Sequence, residues 1–411
     1  MASRPVHILI VSGLSPEALR AGLRDSVLES AAFLAKAGAL REDCVAPFPS
    51  VAPTSVATLA TGLTPREHGI LGRAWYDRLR RRVHKFDPAR ELAAPAAPTL
   101  ATRLAEAGLR FLSFGVPVGC GGTGLGVGQS DADNARLTRE AIASRGADLT
   151  VTLLRDTDDA GHAAGPGFTM PALARADRAL GHLLAGYGDP AEAVVQARWI
   201  VVGDHGFSPI FVDRPGEAHS HAARPGDLVL GTAAEIVPNG RAAFAYVADA
   251  VDREAYAAEL SALPCVDQVF WRAGEWVHGR KAALGLRWAA GQGASDARDQ
   301  CWRTEGDLAV VGMAESGGRL VESAYPDALR RVADLLRAEH APDLVATARE
   351  GYEFTTGRHR GNHGSLTAAD SVVPLIAAGF GPLPALTRTA DVARLAAAAM
   401  DVPELVLSGS C

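Results

Sequence analysis

Residues 199–206 read Trp-Ile-Val-Val-Gly-Asp-His-Gly, an apolar run that ends directly in a carboxylate and an imidazole. A short run of β-branched and aromatic residues that stops at a glycine is typical of a buried strand. The same order recurs where the apolar run Leu149–Leu154 precedes Asp158 and His162. Parallel strands end at one edge of a sheet, and ligands bind beyond that edge. Both stretches therefore predict a polar site at the carboxyl ends of a parallel sheet.

Apolar runs of strand length alternate with helical patterns in the first half of the chain and near its end. Further runs with strand composition are His7–Val11, Phe111–Phe114 and Val372–Ala378. A helical pattern follows Ser12–Pro16 and continues to about Lys36. Further helical patterns lie at Pro53–Thr61 and near residues 97–107, 135–144 and 169–186. This alternation predicts an α/β fold with a doubly wound, mostly parallel sheet sandwiched by helices.

The pattern changes between residues 211 and 350, where the alternation becomes shorter. Ala242–Val247 and Asp307–Val311 are predicted strands, and a helix is predicted near residues 253–262. This mixture is typical of a smaller α+β unit rather than of a doubly wound sheet. The predicted organisation is a core formed by residues 1–210 and 351–411, with an inserted α+β cap formed by residues 211–350.

The bulk composition restricts the classes of partner. The 411 residues include 41 basic and 47 acidic side chains, which gives a net charge of −6. A long nucleic acid is disfavoured because no basic surplus is available to neutralise its phosphates. No apolar stretch approaches the length of a membrane span, and the five cysteines show no CxxC spacing. The sequence thus predicts a cytoplasmic protein with a small, anionic substrate and neither a membrane nor a nucleic-acid polymer as partner.

A third stretch, Gly361–Gly364, adds another histidine to the two acid–imidazole stretches. Carboxylate oxygen and neutral imidazole nitrogen are the ligands that zinc and similar divalent ions take. The alternative is that these are ordinary turn residues at the ends of strands. The sequence favours a divalent metal site, with zinc as the expected ion. The candidate ligands are Asp158, His162, Asp204, His205 and His363.

Five stretches in the same order resemble the alkaline phosphatase superfamily, and within it the nucleotide pyrophosphatase/phosphodiesterase group. These stretches are Thr58–Leu63, Glu67–Ile70, Asp158–Pro166, Gly203–Gly206 and Asn362–Gly364. The resemblance covers nearly the whole chain. It implies an alkaline phosphatase-like α/β sandwich with a cap inserted before the last metal-binding histidine. It also implies two neighbouring metal sites.

By this resemblance, one metal site is complete and the other is altered. Asp158, His162 and His363 correspond to the complete site. The other site retains Asp204 and His205, but Ser12 stands where the family has a carboxylate after the first strand. The family's nucleophilic hydroxyl corresponds to Ala52, which has no group that attacks or ligates.

By the same resemblance, the family's phosphate-binding asparagine corresponds to Arg73 or Ala74. Three polar residues are candidates to replace these lost groups. Thr54 would act as a surrogate nucleophile near a helix N-terminus, where the helix dipole favours anions. Ser12 would orient a metal-bound water, and Arg73 would hold a phosphate, sulfate or carboxylate with two N–H donors. The structural alternatives are a helix-start residue for Thr54, a turn residue for Ser12 and an exposed basic residue for Arg73.

Three functions are compatible with this pattern. The first is a metal-dependent hydrolase of the phosphodiesterase type, which acts on a small phosphorylated metabolite through metal-bound water or a surrogate hydroxyl. The second is a metalloenzyme diverted to elimination, isomerisation or another hydrolysis. The third is a protein that binds a ligand without turnover. The five retained candidate ligands favour the first function.

Overall fold

The computed structural model describes eight segments of the chain. They are residues 4–86, 99–116, 123–125, 130–211, 234–248, 252–355, 359–383 and 388–402. The strands are β1 (Val6–Val11), β2 (Gly38–Val45), β3 (Ala74–Asp77), β4 (Arg82–Lys85), β5 (Phe111–Phe114), β6 (Thr123–Leu125), β7 (Leu149–Leu154), β8 (Arg198–Gly203), β9 (Ser208–Pro209), β10 (Ala234–Asn239), β11 (Ala242–Val247), β12 (Val266–Ala273), β13 (Trp276–Lys281), β14 (Leu284–Ser295), β15 (Cys301–Gly306), β16 (Met313–Ser316), β17 (Arg319–Glu322), β18 (Leu344–Ala348), β19 (Gly361–Asn362) and β20 (Val372–Ala378).

Helices connect most of these strands. They are α1 (Pro16–Arg24), α2 (Glu29–Ala37), α3 (Ala52–Thr61), α4 (Pro65–His68), α5 (Leu100–Glu106), α6 (Asp131–Ala143), α7 (Asp156–Ala164), α8 (Met170–Leu184), α9 (Pro190–Gln196), α10 (Arg253–Ser261), α11 (Ala328–Leu336), α12 (Ala368–Ser371) and α13 (Asp391–Ala399). None of the helices in the described segments combines the length and the apolar character that crossing a bilayer requires.

The first sheet has seven strands in the order β2-β20-β8-β1-β7-β5-β6. The strands from β8 to β6 run parallel, whereas β20 runs antiparallel to both of its neighbours. Val11 at the end of β1 pairs with Leu154 of β7 and with Gly203 of β8. The carboxyl ends of these three strands therefore lie level with one another. The predicted α/β fold class, with a mostly parallel sheet, is confirmed.

Helices cover both faces of this sheet because its central strand is apolar on both sides. Ile8 and Ile10 of β1 belong to a core cluster shared with α3, α5 and α13. Leu9 and Val11 point to the opposite face and pack in a cluster shared with α1, α2 and α8. Alternate side chains of a strand face opposite ways, so a strand buried on both faces has a continuous apolar sequence.

A second sheet of nine strands is formed by β10 to β18. The order of its strands is β10-β11-β18-β12-β13-β14-β17-β16, and β15 pairs with β14. Every described strand between residues 234 and 348 lies in this second sheet. The limits predicted for the cap, residues 211 and 350, stay a prediction.

The strand predicted at Asp307–Val311 is wrong. Leu308–Val311 forms a 3₁₀ turn instead. The Asp307 carboxylate accepts a hydrogen bond from Ala309 N at 2.9 Å, which caps the start of this turn. Gly312 then adopts a φ of 59°, a left-handed conformation that ends it. Val310 and Val311 are buried, so their apolar pattern reflects packing rather than strand pairing.

Candidate metal centre

The sheet brings the candidate ligands together from distant parts of the chain. Asp158 and His162 lie four residues apart in α7, so both side chains project from the same face of that helix. Asp204 follows β8 directly, and Ser12 follows β1, which lies between β7 and β8. His363 follows β19, which pairs with β9 close to the Asp204 loop. His205 follows Asp204 directly, so all five candidate ligands and Ser12 lie at the carboxyl edge predicted from the sequence.

Three of these side chains approach one another at metal-ligand spacing. Asp158 Oδ1 lies 3.4 Å from His162 Nε2 and 3.5 Å from His363 Nε2. The two imidazole nitrogens lie 3.3 Å apart. Four ligands held about 2.1 Å from zinc at the corners of a tetrahedron lie about 3.4 Å from one another. The three atoms therefore fit three corners of such a site.

The tautomers of the histidines follow from their hydrogen bonds. Each ring places Nδ1 against a main-chain carbonyl oxygen, which only accepts, so Nδ1 carries the proton. The acceptors are Gly361 O for His162 (3.0 Å), Gly206 O for His205 (3.0 Å) and Ser50 O for His363 (2.7 Å). The lone pair on each Nε2 is then directed toward Asp158. A hydrogen bond from the far nitrogen is the usual way in which proteins orient a metal-binding histidine.

Asp158 provides the charge for such a site. Its carboxylate is buried, and no described residue donates a hydrogen bond to Oδ1. Burial alone would raise the pKa of Asp158, but the imidazoles of His363, His205 and His162 hold it well below its usual range. Burial lowers the pKa of His162 to about 4 and that of His363 to about 3. An ionised carboxylate and neutral imidazoles are the forms that bind a divalent metal.

His205 lies on the other side of the same carboxylate. Its Nε2 is 3.6 Å from Asp158 Oδ1 and 3.6 Å from Asp204 Oδ2. The ligand atoms of Asp158, His205 and His363 all lie within 4.8 Å of one another, so these residues form a second possible trio. We give more weight to the trio with His162 because its Nε2 lies closer to Asp158 Oδ1, at 3.4 Å against 3.6 Å for His205. Both trios share Asp158 and His363.

Asp204 is held differently from Asp158. Its Oδ1 accepts hydrogen bonds from the main-chain N–H groups of Gly13 (3.0 Å) and His205 (2.9 Å). Its Oδ2 accepts a hydrogen bond of 2.9 Å from the Ser12 hydroxyl. Burial raises the pKa of Asp204, which has no exposed surface. Both of its oxygens thus have protein partners, unlike Oδ1 of Asp158.

The comparison with known families agrees with this geometry. Residues 6–367 match the family model described as type I phosphodiesterase / nucleotide pyrophosphatase. The chain belongs to this family. The family is metal-dependent, and the buried Asp158, His205 and His363 form a cluster that can hold a metal ion. No curated protein matches the sequence at a significant level.

Solved structures show the same fold. The chain resembles murine ectonucleotide pyrophosphatase / phosphodiesterase 5 with a TM-score of 0.67 and 15% sequence identity, over 99% of this chain and 98% of that one. An inactive threonine-to-alanine variant of the same murine protein, in complex with AMP, matches with the same TM-score and identity over 99% and 97%. At this identity the likeness establishes the alkaline phosphatase-like fold and nothing finer.

Ala52, which the sequence resemblance aligns with the family's nucleophile, lies two residues from a contact with the centre. Ala52 is the first residue of α3, and Ser50, two residues earlier, accepts the hydrogen bond from His363. Thr54 is fully buried in the first turn of α3, and its hydroxyl has no hydrogen-bond partner among the described residues. The α3 N-terminus is therefore tied to the metal centre, while the Thr54 hydroxyl is shielded from solvent.

Arg73 reaches the centre from the solvent side. Its side chain is exposed, and its Nη2 lies 3.3 Å from His363 Nε2, which accepts the hydrogen bond. The main chain of Arg73 is fixed by Asn239 at the end of β10, whose Oδ1 accepts hydrogen bonds from the N–H groups of Arg73 (2.6 Å) and Ala74 (3.2 Å). The second sheet thus positions the arginine over the centre.

Two further histidines, His68 and His359, have supporting contacts. Ile70 N donates to His68 Nδ1 at 3.0 Å, so Nε2 carries the proton and donates to the Thr58 hydroxyl at 3.1 Å. His68 therefore joins α4 to α3. His359 lies 2.8 Å from the Glu353 carboxylate through Nδ1, and its ring centroid is 4.7 Å from that of His162.

Sequence analysis missed the residues that hold the His363 loop. Arg241 and Asp370 form a buried ion pair at 2.9 Å, with side chains 1% and 0% exposed. Arg241 N also donates to His363 O at 2.8 Å, and Gly206 N donates to Asp370 O at 3.0 Å. The sequence contains one indication of the turn that carries Arg241. Gly240 lies between two apolar runs, a pattern typical of a hairpin, and it forms the turn between β10 and β11.

Proposed function

We propose that this protein is a metal-dependent hydrolase of the phosphodiesterase type that acts on a small, anionic, phosphorylated metabolite. The attacking group in this proposal is water. The metal ion, for which zinc is our candidate, is bound by Asp158, His162 and His363. Arg73 binds the phosphoryl group of the substrate.

One observation carries this proposal. Three lone-pair atoms, Asp158 Oδ1, His162 Nε2 and His363 Nε2, face one another at 3.3–3.5 Å. Burial in a medium of low polarity makes such an arrangement costly unless a cation lies between the atoms. A divalent ion that takes the place of Arg73 Nη2, which donates to His363 Nε2 at 3.3 Å, satisfies all three at once. A set of ordinary turn residues has no reason to direct three unprotonated atoms at one point.

The residues around the centre supply what phosphoryl chemistry needs. When bound, the metal polarises the phosphoryl oxygen and lowers the pKa of water. The Arg73 guanidinium is exposed and has five N–H donors, so that it can bind two oxygens of a phosphate at the mouth of the centre. His162, His205 and His363 keep their ring orientations through main-chain carbonyls and need not rearrange during the reaction.

Burial of Thr54 supports water over a surrogate hydroxyl. The Thr54 side chain has no exposed surface in α3, so a substrate would reach it only after the first turn of the helix opened. Ala52 offers no hydroxyl at the position that the resemblance gives to the nucleophile. A covalent intermediate on α3 is therefore disfavoured.

The test is hydrolysis of a nitrophenyl phosphodiester by the zinc-loaded protein. We expect slow turnover that is lost in His363→Ala and retained in Thr54→Val, a replacement of nearly equal volume. Loss of turnover in Thr54→Val, with unchanged zinc content, would assign the attack to Thr54. Absence of turnover in the unaltered, zinc-loaded protein would contradict the proposal.

A second candidate is ligand binding without turnover. It is supported by Ala52 and by the inactive murine threonine-to-alanine variant, which is described in complex with AMP. Calorimetric titration of the zinc-loaded protein with AMP tests it. Binding of AMP that requires Arg73, together with no cleavage of phosphodiesters, would favour this candidate.

A further inference from the structure

The two carboxylates of the centre differ in how completely the protein satisfies them. Asp204 accepts hydrogen bonds at both oxygens, from two main-chain N–H groups and from the Ser12 hydroxyl. Asp158 Oδ1, by contrast, is buried and has no hydrogen-bond partner among the described residues. A buried carboxylate oxygen without a donor needs a cation, whereas one that already has donors does not. Only Asp158 therefore requires a metal ion.

The Ser12 hydroxyl provides the hydrogen bond to the second oxygen of Asp204, Oδ2. Ser12 Oγ lies 2.9 Å from Asp204 Oδ2 and 3.5 Å from His205 Nε2. A serine has one hydroxyl proton, and the shorter contact with a carboxylate takes it. The proton therefore lies on the side of Asp204 that faces His205. A second metal ion between Asp204 and His205 would have to displace this hydrogen bond.

We propose that this centre binds a single divalent ion, held by Asp158, His162 and His363, and that the hydrogen bond from Ser12 to Asp204 closes the neighbouring position. The inference rests on the proposed function, because it specifies the metal content of the same site. Asp204 then has a structural role, holding the ends of β1 and β8 together through Gly13 and Ser12.

Charge favours the same conclusion. The two possible trios share Asp158 and His363, so two ions would compete for the same oxygen and nitrogen. A second divalent ion would have Asp204 as its only separate carboxylate, since Ser12 is neutral. The Arg73 guanidinium, 3.3 Å from His363 Nε2, already adds a positive charge beside the first ion. A second ion would add further positive charge to this cluster, and like charges this close repel one another.

The first experiment counts metal ions in the purified protein. The full chain is loaded with zinc, unbound metal is removed, and zinc per chain is measured by mass spectrometry. We expect about one ion per chain, the number that the single tight trio accommodates. About two ions would overturn this inference and leave the proposed function intact. No bound zinc would contradict both.

The second experiment changes Ser12. Ser12→Asp supplies a carboxylate and removes the hydroxyl donor, and we expect the zinc content to rise from about one to about two ions per chain. Ser12→Asn, of similar size but uncharged, is the matched control and should remain at about one. A content of one in folded Ser12→Asp, or of two in Ser12→Asn, would show that Ser12 does not close the position.

The third experiment tests Asp204 by measuring how tightly the protein binds zinc. Asp204→Asn retains an oxygen that accepts from Gly13 and His205. We expect the single ion to remain, with a Kd for zinc raised by at most about 10- to 100-fold, the range for residues that only support a ligand. Loss of the ion from folded Asp204→Asn would make Asp204 a ligand and overturn the inference.

Discussion

The imidazole rings of His205 and His363 stack face to face, with centroids 3.5 Å apart and planes 8° from parallel. The two rings come from loops that are far apart in the chain, and each is fixed by a hydrogen bond from Nδ1 to a carbonyl oxygen. Stacking keeps both Nε2 atoms on the same side, toward Asp158. The site therefore has its ligand orientations before any ion binds, which lowers the entropy cost of binding.

Replacing Asp158 by asparagine should abolish tight zinc binding. The change keeps the size of the side chain but removes the one charge that no protein donor compensates. We expect the Kd for zinc to rise about 100-fold or more, because even residues outside the ligand set contribute 10- to 100-fold. Calorimetric titration measures the change. Asp159→Asn, the exposed neighbour, is the control, and an equal effect of both variants would argue against a specific site.

Breaking the buried ion pair between Arg241 and Asp370 should destabilise the protein. Asp370→Asn leaves Arg241 buried without a counter-charge, which typically costs about 3–5 kcal/mol. Urea denaturation gives the change in the free energy of unfolding. Glu305→Gln, in the exposed pair with Arg287, is the matched control and should cause no measurable change. Equal stability of Asp370→Asn and the unaltered protein would contradict this prediction.

The stability of the metal-free protein should depend on pH through its buried histidines. The pKa of His162 is lowered by burial from 6.5 to about 4 and that of His363 to about 3. The unfolded chain therefore binds more protons than the folded one between these values and pH 6.5. The contribution of neutral His162 to the free energy of unfolding is complete above about pH 6.5. It is lost as the pH falls toward the pKa of His162 in the folded protein, and the total loss is about 3 kcal/mol.

Urea denaturation of the chelator-treated protein at several pH values measures this loss. His162→Gln should reduce the slope of the free energy of unfolding against pH, because its side chain does not titrate. His7 and His68, whose pKa values burial lowers to about 3, continue to contribute in the same direction. A slope that His162→Gln leaves unchanged would show that His162 does not titrate on unfolding.

Restoring a hydroxyl at the start of α3 should increase phosphodiesterase activity. Ala52→Thr provides the group that the resemblance places there, and we expect hydrolysis of a nitrophenyl phosphodiester to increase roughly tenfold or more. Ala52→Val has the same shape without the hydroxyl and should leave the rate unchanged. The double variant Ser12→Asp, Ala52→Thr should exceed Ala52→Thr alone. Equal rates for the threonine and valine variants would contradict this prediction.

The sequence predicts the central strands well because they are buried on both faces. Phe111–Phe114, Leu149–Leu154 and Val372–Ala378 have the bounds that their apolar runs predict. β2 (Gly38–Val45) escapes prediction because its charged middle lies at the edge of the sheet, where only its last residues are buried. At Val310 and Val311 a strand is predicted where a 3₁₀ turn forms, because buried apolar residues in a capped turn have the same pattern as those of a strand.

The site was predictable in its residue types but not in its contacts. Acid and imidazole after a strand identify Asp158 and Asp204 as candidates, but this pattern does not show how each carboxylate is hydrogen-bonded. The difference between them depends on Ser12, which lies 192 residues before Asp204 and meets it only because β1 pairs with β8. Such a contact follows from the order of strands in the sheet, which periodicity does not specify.

The turn at Gly240 has a consequence for how the protein unfolds. A side chain there would place its Cβ 2.3 Å from His363 O, so the β10–β11 hairpin is in direct contact with the main chain of a candidate metal ligand. The next residue, Arg241, then donates to that same carbonyl oxygen. Loss of the second sheet would therefore release the His363 loop. We expect the two sheets to unfold together in one cooperative transition, as a single foldon, rather than the second sheet unfolding before the first.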